Sequence, residues 1–373
     1  MREALALARQ GIALASPNPR VGAVIVDPQG NIVGRRFHTY DGIKHAEVLA
    51  IEEAGDRARG ATLYLNLEPC SHQGRTGPCA EAVIAAGIAR VFAAMEDPNP
   101  VVKGKGFEKL RAAGISVQVG LLEEEARDLN EAFANFARTR MPLVTLKAGM
   151  TLDGKIAPPP GDPITPIPGL GTGNWITSEE ARAHVHHLRH EMDAILVGVG
   201  TVIADDPLLT DRTGLPRRRR LLRVILDSRL RLPLDSRLAE TVNEDLVVFC
   251  SFAEEKRKSE LEHRGIRVCQ VVAAKEAGHP DLEHVLGRLG EMDITSLLIE
   301  GGANVNCVAL QNGLVDKLFL YYAPTILGGR DSVPLATGRG FRNVSEAPRA
   351  RNLRLHRFGE DFAVEGYLKD PYA

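Results

Sequence analysis

The feature that most constrains this chain is the regular alternation of short apolar, strand-like segments with helix-like segments. Apolar residues at helical spacing occupy the intervening stretches, of which 122–138 is the longest. Strands and helices that alternate in this way predict an α/β fold, in which helices cover both faces of a sheet. In the N-terminal part, the strand-like stretches are VGAVIV, ATLYLNL, RVFAAM and ISVQVG.

The segment RTRMP at 138–142 interrupts this alternation before a new strand-like stretch, LVTLKAG. A chain of 373 residues also exceeds the ~250 residues at which a single core usually stops growing. We therefore expect two domains, 1–140 and 141–373. The apolar strand candidates of the second domain are DAILVGVG, LLRVILDS, DLVVFCS, IRVCQVV, SLLIEGG and KLFLYYAP.

Bulk composition excludes several classes of protein. The net charge is −2 and charged residues make up 25% of the chain, which argues against a broad nucleic-acid-binding or membrane-binding surface. No apolar run approaches the ~18 residues of a membrane span. Five cysteines, an odd number, do not form a disulfide framework. We therefore expect a cytoplasmic protein that binds neither nucleic acid nor membrane.

Four residues form the strongest chemical pattern in the chain. His45 and Glu47 lie at the predicted start of a helix, Cys70 follows a strand, and Cys79 opens another helix. One imidazole and two thiolates provide three ligands for tetrahedral Zn²⁺ and leave the fourth position for water. Glu47 is then an acid beside that water, placed to move protons in a hydrolytic reaction.

Two other interpretations of these residues stay open on spacing alone. The zinc nucleobase-deaminase signature has two residues between its cysteines, whereas this chain has eight. The cysteines could therefore be unrelated buried thiols near a surface histidine, or part of a structural zinc site with His72 as fourth ligand. A thioredoxin-like redox pair is excluded, because the spacing is not C-x-x-C.

Four stretches of the N-terminal half carry a family resemblance: SPNPRVGAVIV, HAEVLA, LEPCSHQGRTGPC and EDPNPVVKGKGFEKLRAAGI. Together they resemble the deaminase half of the bifunctional riboflavin-biosynthesis deaminase–reductases, in which the long loop between the cysteines is the expected form. The resemblance implies a cytidine-deaminase-like three-layer domain, with zinc held by His45, Cys70 and Cys79 and with Glu47 as proton shuttle.

The same resemblance implies how the deaminase substrate is held. Asn18 would contact the pyrimidine, although P-N-P also makes a rigid turn. Arginine and histidine suit a phosphate, and glycines let backbone N–H groups approach its oxygens. The residues expected to face the phosphoribosyl group are His72, Arg75, Thr76, Asp97 and Asn99.

The C-terminal half contains no G-x-G-x-x-G fingerprint, so the residues alone indicate only a nucleotide cofactor. Its segments VTLKAGMTLDGKIA and IEGGANVN resemble the reductase half of the same family. That resemblance implies a dihydrofolate-reductase-like fold that uses NADPH. The cofactor residues would be Gly149, Trp175, Thr201, Asp205, Ser228, Gly301, Gly302 and Ala303. The substrate residues would be Gly173, Arg189, Leu209, Arg212 and Glu300.

The expected function is therefore deamination of 2,5-diamino-6-(5-phosphoribosylamino)pyrimidin-4-one, followed by NADPH-dependent reduction of the ribosyl chain to ribityl, in a homo-oligomer. One departure from the family is the Pro-rich stretch 158–173, where Gly173 replaces the usual serine. It leaves open a deaminase with an inactive reductase-like domain. A zinc-dependent nucleic-acid-binding or editing module is the remaining alternative.

Several other features are expected to be structural. His186 and His190 share a helix face, and a solvated helix is the simpler interpretation than a metal site. The arginine run at 217–220 is expected to be an exposed loop. Cys250 and Cys269 lie in predicted strands, and Cys307 in a predicted helix, so all three are expected to be packing residues.

Overall fold

The structure is a computed structural model that describes residues 1–73, 77–159, 175–274 and 278–373. It contains two compact units. The first comprises Met1–Arg140, Pro216–Arg219 and Tyr372, and the second comprises Met141–Leu215, Arg220–Pro371 and Ala373. Across the described ranges, none of the helices has both the length and the apolar character needed to cross a bilayer.

The first unit alternates strands and helices. Its strands are β1 (Gly22–Val26), β2 (Ile32–Phe37), β3 (Thr62–Leu65), β4 (Arg90–Ala93) and β5 (Ser116–Val119). Its helices are α1 (Arg2–Arg9), α2 (Ala46–Ala54), the short 3₁₀ turn Gly55–Ala58, α3 (Cys79–Ala85), α4 (Lys105–Ala112) and α5 (Glu123–Thr139).

These strands form one mixed sheet in the order β2-β1-β3-β4-β5. β1 runs antiparallel to β2 and β3, whereas β3, β4 and β5 are parallel. Helices cover both faces through close backbone contact at glycines. A Cβ on Gly22 would lie 2.1 Å from the Ala4 oxygen of α1, and a Cβ on Gly34 would lie 2.1 Å from the Ala50 oxygen of α2.

Those two glycines lie on opposite faces of the sheet. Gly34 pairs with Ile25, three residues along β1 from Gly22, and side chains alternate between faces along a strand. The first unit is therefore a three-layer arrangement of helices, sheet and helices. Strand β2 was not predicted, because its sequence IVGRRF carries two arginines and lacks a continuous apolar run. Helix α1 ends at Arg9, before the predicted limit near residue 13.

The second unit is built around a larger sheet. Its strands are β6 (Leu143–Thr151), β7 (Lys155–Ala157), β8 (Ala194–Gly198), β9 (Leu222–Leu226), β10 (Leu246–Cys250), β11 (Arg267–Gln270), β12 (Ser296–Ile299), β13 (Lys317–Ala323), β14 (Val333–Pro334), β15 (Arg351–Phe358) and β16 (Asp361–Tyr367). Its helices are α6 (Glu179–Glu191), α7 (Val199–Asp205), α8 (Arg237–Glu240), α9 (Glu255–His263), α10 (Leu282–Glu291) and α11 (Ala303–Gln311).

Nine of these strands form one sheet in the order β11-β10-β9-β8-β12-β6-β13-β16-β15. All neighbours from β11 to β13 are parallel, and β16 and β15 complete one side with antiparallel pairing. Consecutive residues such as Val224 and Ile225 enter two different apolar cores, one on each face. A strand buried on both faces reads as a continuous apolar run, which is why these strands were predicted.

The predicted positions of the remaining cysteines are confirmed, whereas the arginine run differs from expectation. Cys250 and Cys269 lie in adjacent strands, and Cys307 is buried in α11. The run at 217–220 is exposed only at Arg220. In the first unit, the Arg218 backbone N–H donates to the Ala13 oxygen at 3.0 Å. The Pro-rich stretch lies outside the described residues from 160 onwards.

The glycine contact between β2 and α2 provides a test of this packing. Gly34→Ala forces α2 away from the sheet, because the new methyl group meets backbone rather than a flexible side chain. We expect a loss of about 1–3 kcal/mol and a lower midpoint in calorimetric unfolding of the full chain. Gly287→Ala in α10 is the control, since its Cβ would meet nothing within 4 Å and alanine favours a helix. Equal midpoints for Gly34→Ala and the unmodified chain would contradict the close approach.

Candidate functional sites

The four residues of the proposed zinc pattern come together at one edge of the first sheet. His45 is the N-cap of α2, Cys70 lies in the loop after β3, and Cys79 is the first residue of α3. His45 Nδ1 lies 3.0 Å from Cys79 Sγ and 3.5 Å from Cys70 Sγ. All three ligand atoms lie within 4.8 Å of one another.

This donor set fits a zinc ion. Zn–N and Zn–S bonds of about 2.0 and 2.3 Å place tetrahedral ligands roughly 3.5 Å apart, close to the observed spacing. The neighbouring Cys79 thiol and His45 lower the pKa of Cys70, which favours a thiolate at this position. The described residues add no fourth ligand to this group, and His72 is exposed. An open fourth position is typical of catalytic rather than structural zinc.

Glu47 is a buried acid next to these ligands. It lies in the first turn of α2, and its Oε2 atom makes no hydrogen bond. Burial raises its pKa to about 7, against the opposing effect of His45. A buried polar atom without a partner is rare in a folded protein, so Glu47 retains an oxygen that can accept or deliver a proton.

Asn18 is held near the proposed metal ligands by a histidine that the sequence analysis did not identify. The Asn18 Nδ2 group donates to His38 Nε2 at 2.9 Å, and His38 Nδ1 contacts the Lys44 oxygen at 3.0 Å. The His38 and His45 rings pack edge to face, with centroids 5.1 Å apart. The turn that carries Asn18 is therefore linked through His38 to His45, a proposed metal ligand.

Asp97 and Asn99 lie in the loop after β4, which a second unpredicted residue organises. Glu68 is buried and accepts hydrogen bonds from the backbone N–H groups of Asp97 and Gly106, at 3.1 and 2.8 Å. Asp97 accepts from the Asn99 N–H at 2.8 Å. Burial raises the pKa of Asp97 to about 7, and the charges of Glu68 and Cys70 act in the same direction. Arg75 and Thr76 lie outside the described residues.

In the second unit, glycines line two adjacent strand-to-helix turns, between β8 and α7 and between β12 and α11. A Cβ on Gly301 would lie 2.6 Å from the Val197 Cα, so only glycine fits there. Gly302 has φ of 29° and faces the Thr201 hydroxyl. Exposed backbone N–H groups at neighbouring helix starts suit the phosphates of a dinucleotide. These turns therefore fit NADPH, and they bring Thr201, Gly301, Gly302 and Ala303 together.

The remaining expected cofactor residues lie in other segments of the second unit. Ser228 follows β9, and Asp205 ends α7. Gly149 lies in β6, where a Cβ would meet Thr177 at 3.2 Å. Trp175 is 57% exposed, and the Arg182 guanidinium lies 5.3 Å from its ring centre.

Two of the expected substrate residues form a buried ion pair with each other. Arg189 donates to both carboxylate oxygens of Glu300, at 2.6 and 3.0 Å, and to the Thr210 oxygen at 2.9 Å. Lys147, which the sequence analysis did not identify, lies 3.2 Å from Glu300 Oε2. Burial alone would raise the pKa of Glu300, but Arg189 and Lys147 lower it to about 2. Glu300 is therefore a fixed carboxylate at neutral pH.

Leu209 and Arg212 lie in the segment between α7 and β9, where Leu209 is buried and Arg212 is exposed. His190 faces this segment: its Nδ1 lies 3.2 Å from Asp211 Oδ2. The expectation of a solvated helix is wrong for His190, which is 5% exposed. Gly173 lies outside the described residues.

The buried ion pair yields a prediction about stability. Glu300→Gln leaves Arg189 and Lys147 without their carboxylate, and loss of one partner of a buried pair costs about 3–5 kcal/mol. Because folding lowers the pKa of Glu300 from 4.5 to about 2, the stabilisation is complete above pH ~4.5 and declines as the pH falls towards 2. Urea unfolding of both proteins across this pH range measures the difference.

The control is Glu291→Gln, which removes an exposed pair with Arg288 and should cost less than ~1 kcal/mol. A Glu300→Gln loss as small as that of the control, or independent of pH, would contradict the assigned pairing.

Comparison with known families and proteins agrees with this geometry. Residues 142–364 match the RibD C-terminal domain, and residues 1–95 match the cytidine and deoxycytidylate deaminase zinc-binding region. The chain is 40% identical over 371 residues to the riboflavin biosynthesis protein RibD of Actinobacillus pleuropneumoniae, covering 100% of this chain and 95% of that protein. It is 42% identical over 364 residues to RibD of Aquifex aeolicus, with coverage of 98% and 96%.

Solved structures are also similar over the whole chain. RibD of Acinetobacter baumannii aligns with a TM-score of 0.82 at 35% identity, covering 98% of this chain and 97% of that chain. The diaminohydroxyphosphoribosylaminopyrimidine deaminase/5-amino-6-(5-phosphoribosylamino)uracil reductase of Thermotoga maritima aligns with a TM-score of 0.79, also at 35% identity and with the same coverage. The expected α/β class, with a cytidine-deaminase-like N-terminal part and a RibD reductase C-terminal part, is confirmed, as is the use of Zn²⁺ and NADPH. The chain therefore belongs to the RibD family of bifunctional deaminase–reductases of riboflavin biosynthesis.

Proposed function

We propose that residues 1–140 form the zinc-dependent pyrimidine deaminase domain and residues 141–373 the NADPH-dependent reductase domain. The substrates are those named for the Thermotoga maritima relative. The first domain deaminates the diaminopyrimidine at its 2-amino group, and the second reduces the ribosyl chain of the aminouracil product. The observation that supports this best is the convergence of His45, Cys70 and Cys79 within 4.8 Å, beside the buried Glu47.

In the deaminase, His45, Cys70 and Cys79 hold the metal, and Glu47 moves the proton. Zinc, when bound there, supplies a Lewis acid that makes water nucleophilic near neutral pH. With zinc held by His45, Cys70 and Cys79, Glu47 would take the two protons of the attacking water one after the other, passing one to a ring nitrogen and the other to the departing amine, so that the ring gains a carbonyl and ammonia leaves. Its unpartnered Oε2 atom is available for this transfer.

The substrate of the deaminase would be held on two sides. Asn18, fixed by His38, contacts the pyrimidine edge. Asp97 and Asn99 lie in the loop that Glu68 anchors, and we propose that this loop contacts the ribosyl group. We propose that His72 binds the phosphate together with Arg75 and Thr76, which lie outside the described residues, because cationic and hydroxyl side chains suit a phosphate.

In the reductase, the two glycine turns bind the cofactor together with Gly149, Trp175, Thr201, Asp205 and Ser228. NADPH, when bound, supplies the hydride that the ribosyl C1′ receives. Glu300 is oriented by Arg189 and Lys147 and positions the sugar. Arg212 is exposed, and we propose that it binds the phosphate beside Leu209, with Gly173 close to the substrate.

Three further properties belong to this proposal. A cytoplasmic location suits the five cysteines, which form no disulfide and of which two must stay reduced to bind metal. The near-neutral net charge argues against nucleic acid as a partner. A homo-oligomer is supported by edge strand β15, which exposes Leu353 and Leu355, because an exposed apolar edge favours association with another chain.

The zinc site can be tested by separating metal binding from proton transfer. We expect Cys70→Ser to lose bound zinc, because an alcohol replaces a thiolate ligand. Glu47→Gln should keep the zinc and lose at least ~10²-fold in ammonia release. Metal analysis and an ammonia assay measure these two effects, and Cys269→Ser, a half-buried cysteine of β11, is the control. Full zinc content in Cys70→Ser, or activity retained in Glu47→Gln, would reject the assigned roles.

The reductase can be tested by supplying the deaminated intermediate and following NADPH oxidation in the full chain. We expect oxidation that does not depend on the deaminase site, and therefore equal rates in the unmodified chain and in Glu47→Gln. Glu300→Gln should reduce the rate by roughly 10²-fold, since a misplaced substrate loses the alignment for reaction. Absence of oxidation in the unmodified chain would favour a deaminase with an inactive reductase-like domain.

A further inference from the structure

The segment between α7 and β9 has an unusual backbone. Three residues in it other than glycine have positive φ: Asp206 at 40°, Leu209 at 54° and Arg212 at 53°. Such residues are uncommon and persist only where the surroundings fix them, often at ligand-binding sites. Two of the three, Leu209 and Arg212, are the residues proposed to bind the reductase substrate.

Hydrogen bonds hold residues 206–210, the first part of this segment, at one side chain and two backbone oxygens. The Arg237 N–H donates to Asp206 Oδ1 at 2.8 Å, and Arg223 donates to the Leu208 oxygen at 3.3 Å. Arg189 donates to the Thr210 oxygen at 2.9 Å. These contacts account for the geometry up to residue 210, and none of them reaches Arg212.

His190 fixes the next residue. Its Nδ1 lies 3.2 Å from Asp211 Oδ2, and it donates the hydrogen bond because a carboxylate only accepts. The other carboxylate oxygen, Oδ1, accepts from the Thr213 N–H at 3.2 Å. Asp211 is therefore bound on both sides, directly before Arg212. The side chains of His190 and Asp211 are only 6% and 14% exposed, which shields this contact from water.

We propose that His190 is a positioning residue for phosphate recognition by the reductase. Adjacent residues of α6 fix consecutive parts of the segment: Arg189 holds the Thr210 oxygen and His190 holds Asp211. Arg212 thereby keeps its left-handed backbone and its exposed guanidinium in one direction before the substrate arrives. Preorganisation of this kind increases affinity because less conformational freedom is lost on binding. The inference rests on the proposed function, since it takes Arg212 as the phosphate ligand.

The test compares His190→Ala, His190→Asn and His187→Ala in the full chain, with NADPH and the deaminated intermediate. We expect His190→Ala to raise the KM for the intermediate on the order of tenfold, about the effect of one lost hydrogen bond. The kcat and the KM for NADPH should change less than about twofold. His190→Asn should restore most of the affinity, because its amide can donate from nearly the position of Nδ1. His187 is exposed on the same helix, so His187→Ala should resemble the unmodified chain.

The same variants assayed with the dephosphorylated riboside separate positioning from general structural support. If His190 acts through Arg212, His190→Ala should leave the KM for the riboside within about twofold of the unmodified value. An equal increase for both substrates would overturn the proposal in favour of a purely structural role. A KM for the intermediate unchanged by His190→Ala would also overturn it.

Calorimetric titration of the intermediate distinguishes failure of this inference from failure of the proposed function. If the unmodified chain binds the intermediate without oxidising NADPH, the proposed reduction fails, and the ratio of Kd values for His190→Ala and the unmodified chain still decides the role of His190. If the unmodified chain does not bind the intermediate, the proposed function and this inference are both rejected.

Discussion

Both candidate sites depend on the rule that parallel strands deliver the chain to the same edge of a sheet. In the first unit, β2, β3 and β4 run in one direction, so the segments that follow them meet. Those segments carry His45, Cys70 and Asp97. Asn18 joins them because it precedes the antiparallel β1, whose first residue Gly22 pairs with the last residue of β2. Strand direction therefore assembles a site from residues far apart in the chain.

Buried carboxylates then fix the positions of neighbouring groups in both sites. A carboxylate removed from water is costly unless it is paired, and two buried carboxylates here, Glu68 and Glu300, organise their surroundings. Glu68 gathers backbone N–H groups of the loop that carries Asp97. Glu300 holds Arg189 in a two-point pair. Glu47 differs because its Oε2 atom has no partner, and an uncommitted buried acid is suited to proton transfer.

Much of the fold was predictable, and the exceptions have a common cause. The parallel strands of the second sheet are buried on both faces and read as apolar runs. Strands β2 and β15 are the end strands of their sheets and expose arginines to water. Strand β16 lies between β13 and β15 and is largely buried, but charged residues interrupt its sequence, DFAVEGY. None of the three has a long apolar run, and the sequence analysis did not predict them. The prediction that His190 is solvated was wrong for a related reason. The polar sequence of α6 suggests an exposed helix face, and it does not show that the segment between α7 and β9 covers His190.

The sequence by itself determined the α/β class and named the side chains proposed to bind the metal and to move the proton. Residue type and spacing next to strand ends are local properties, and His45, Glu47, Cys70 and Cys79 could be named from them. Only the tertiary structure decided that Arg189 binds Glu300 and that His190 meets Asp211. Those partners are 111 and 21 residues apart, and no local pattern encodes a contact that arises when helices pack against strand ends and loops.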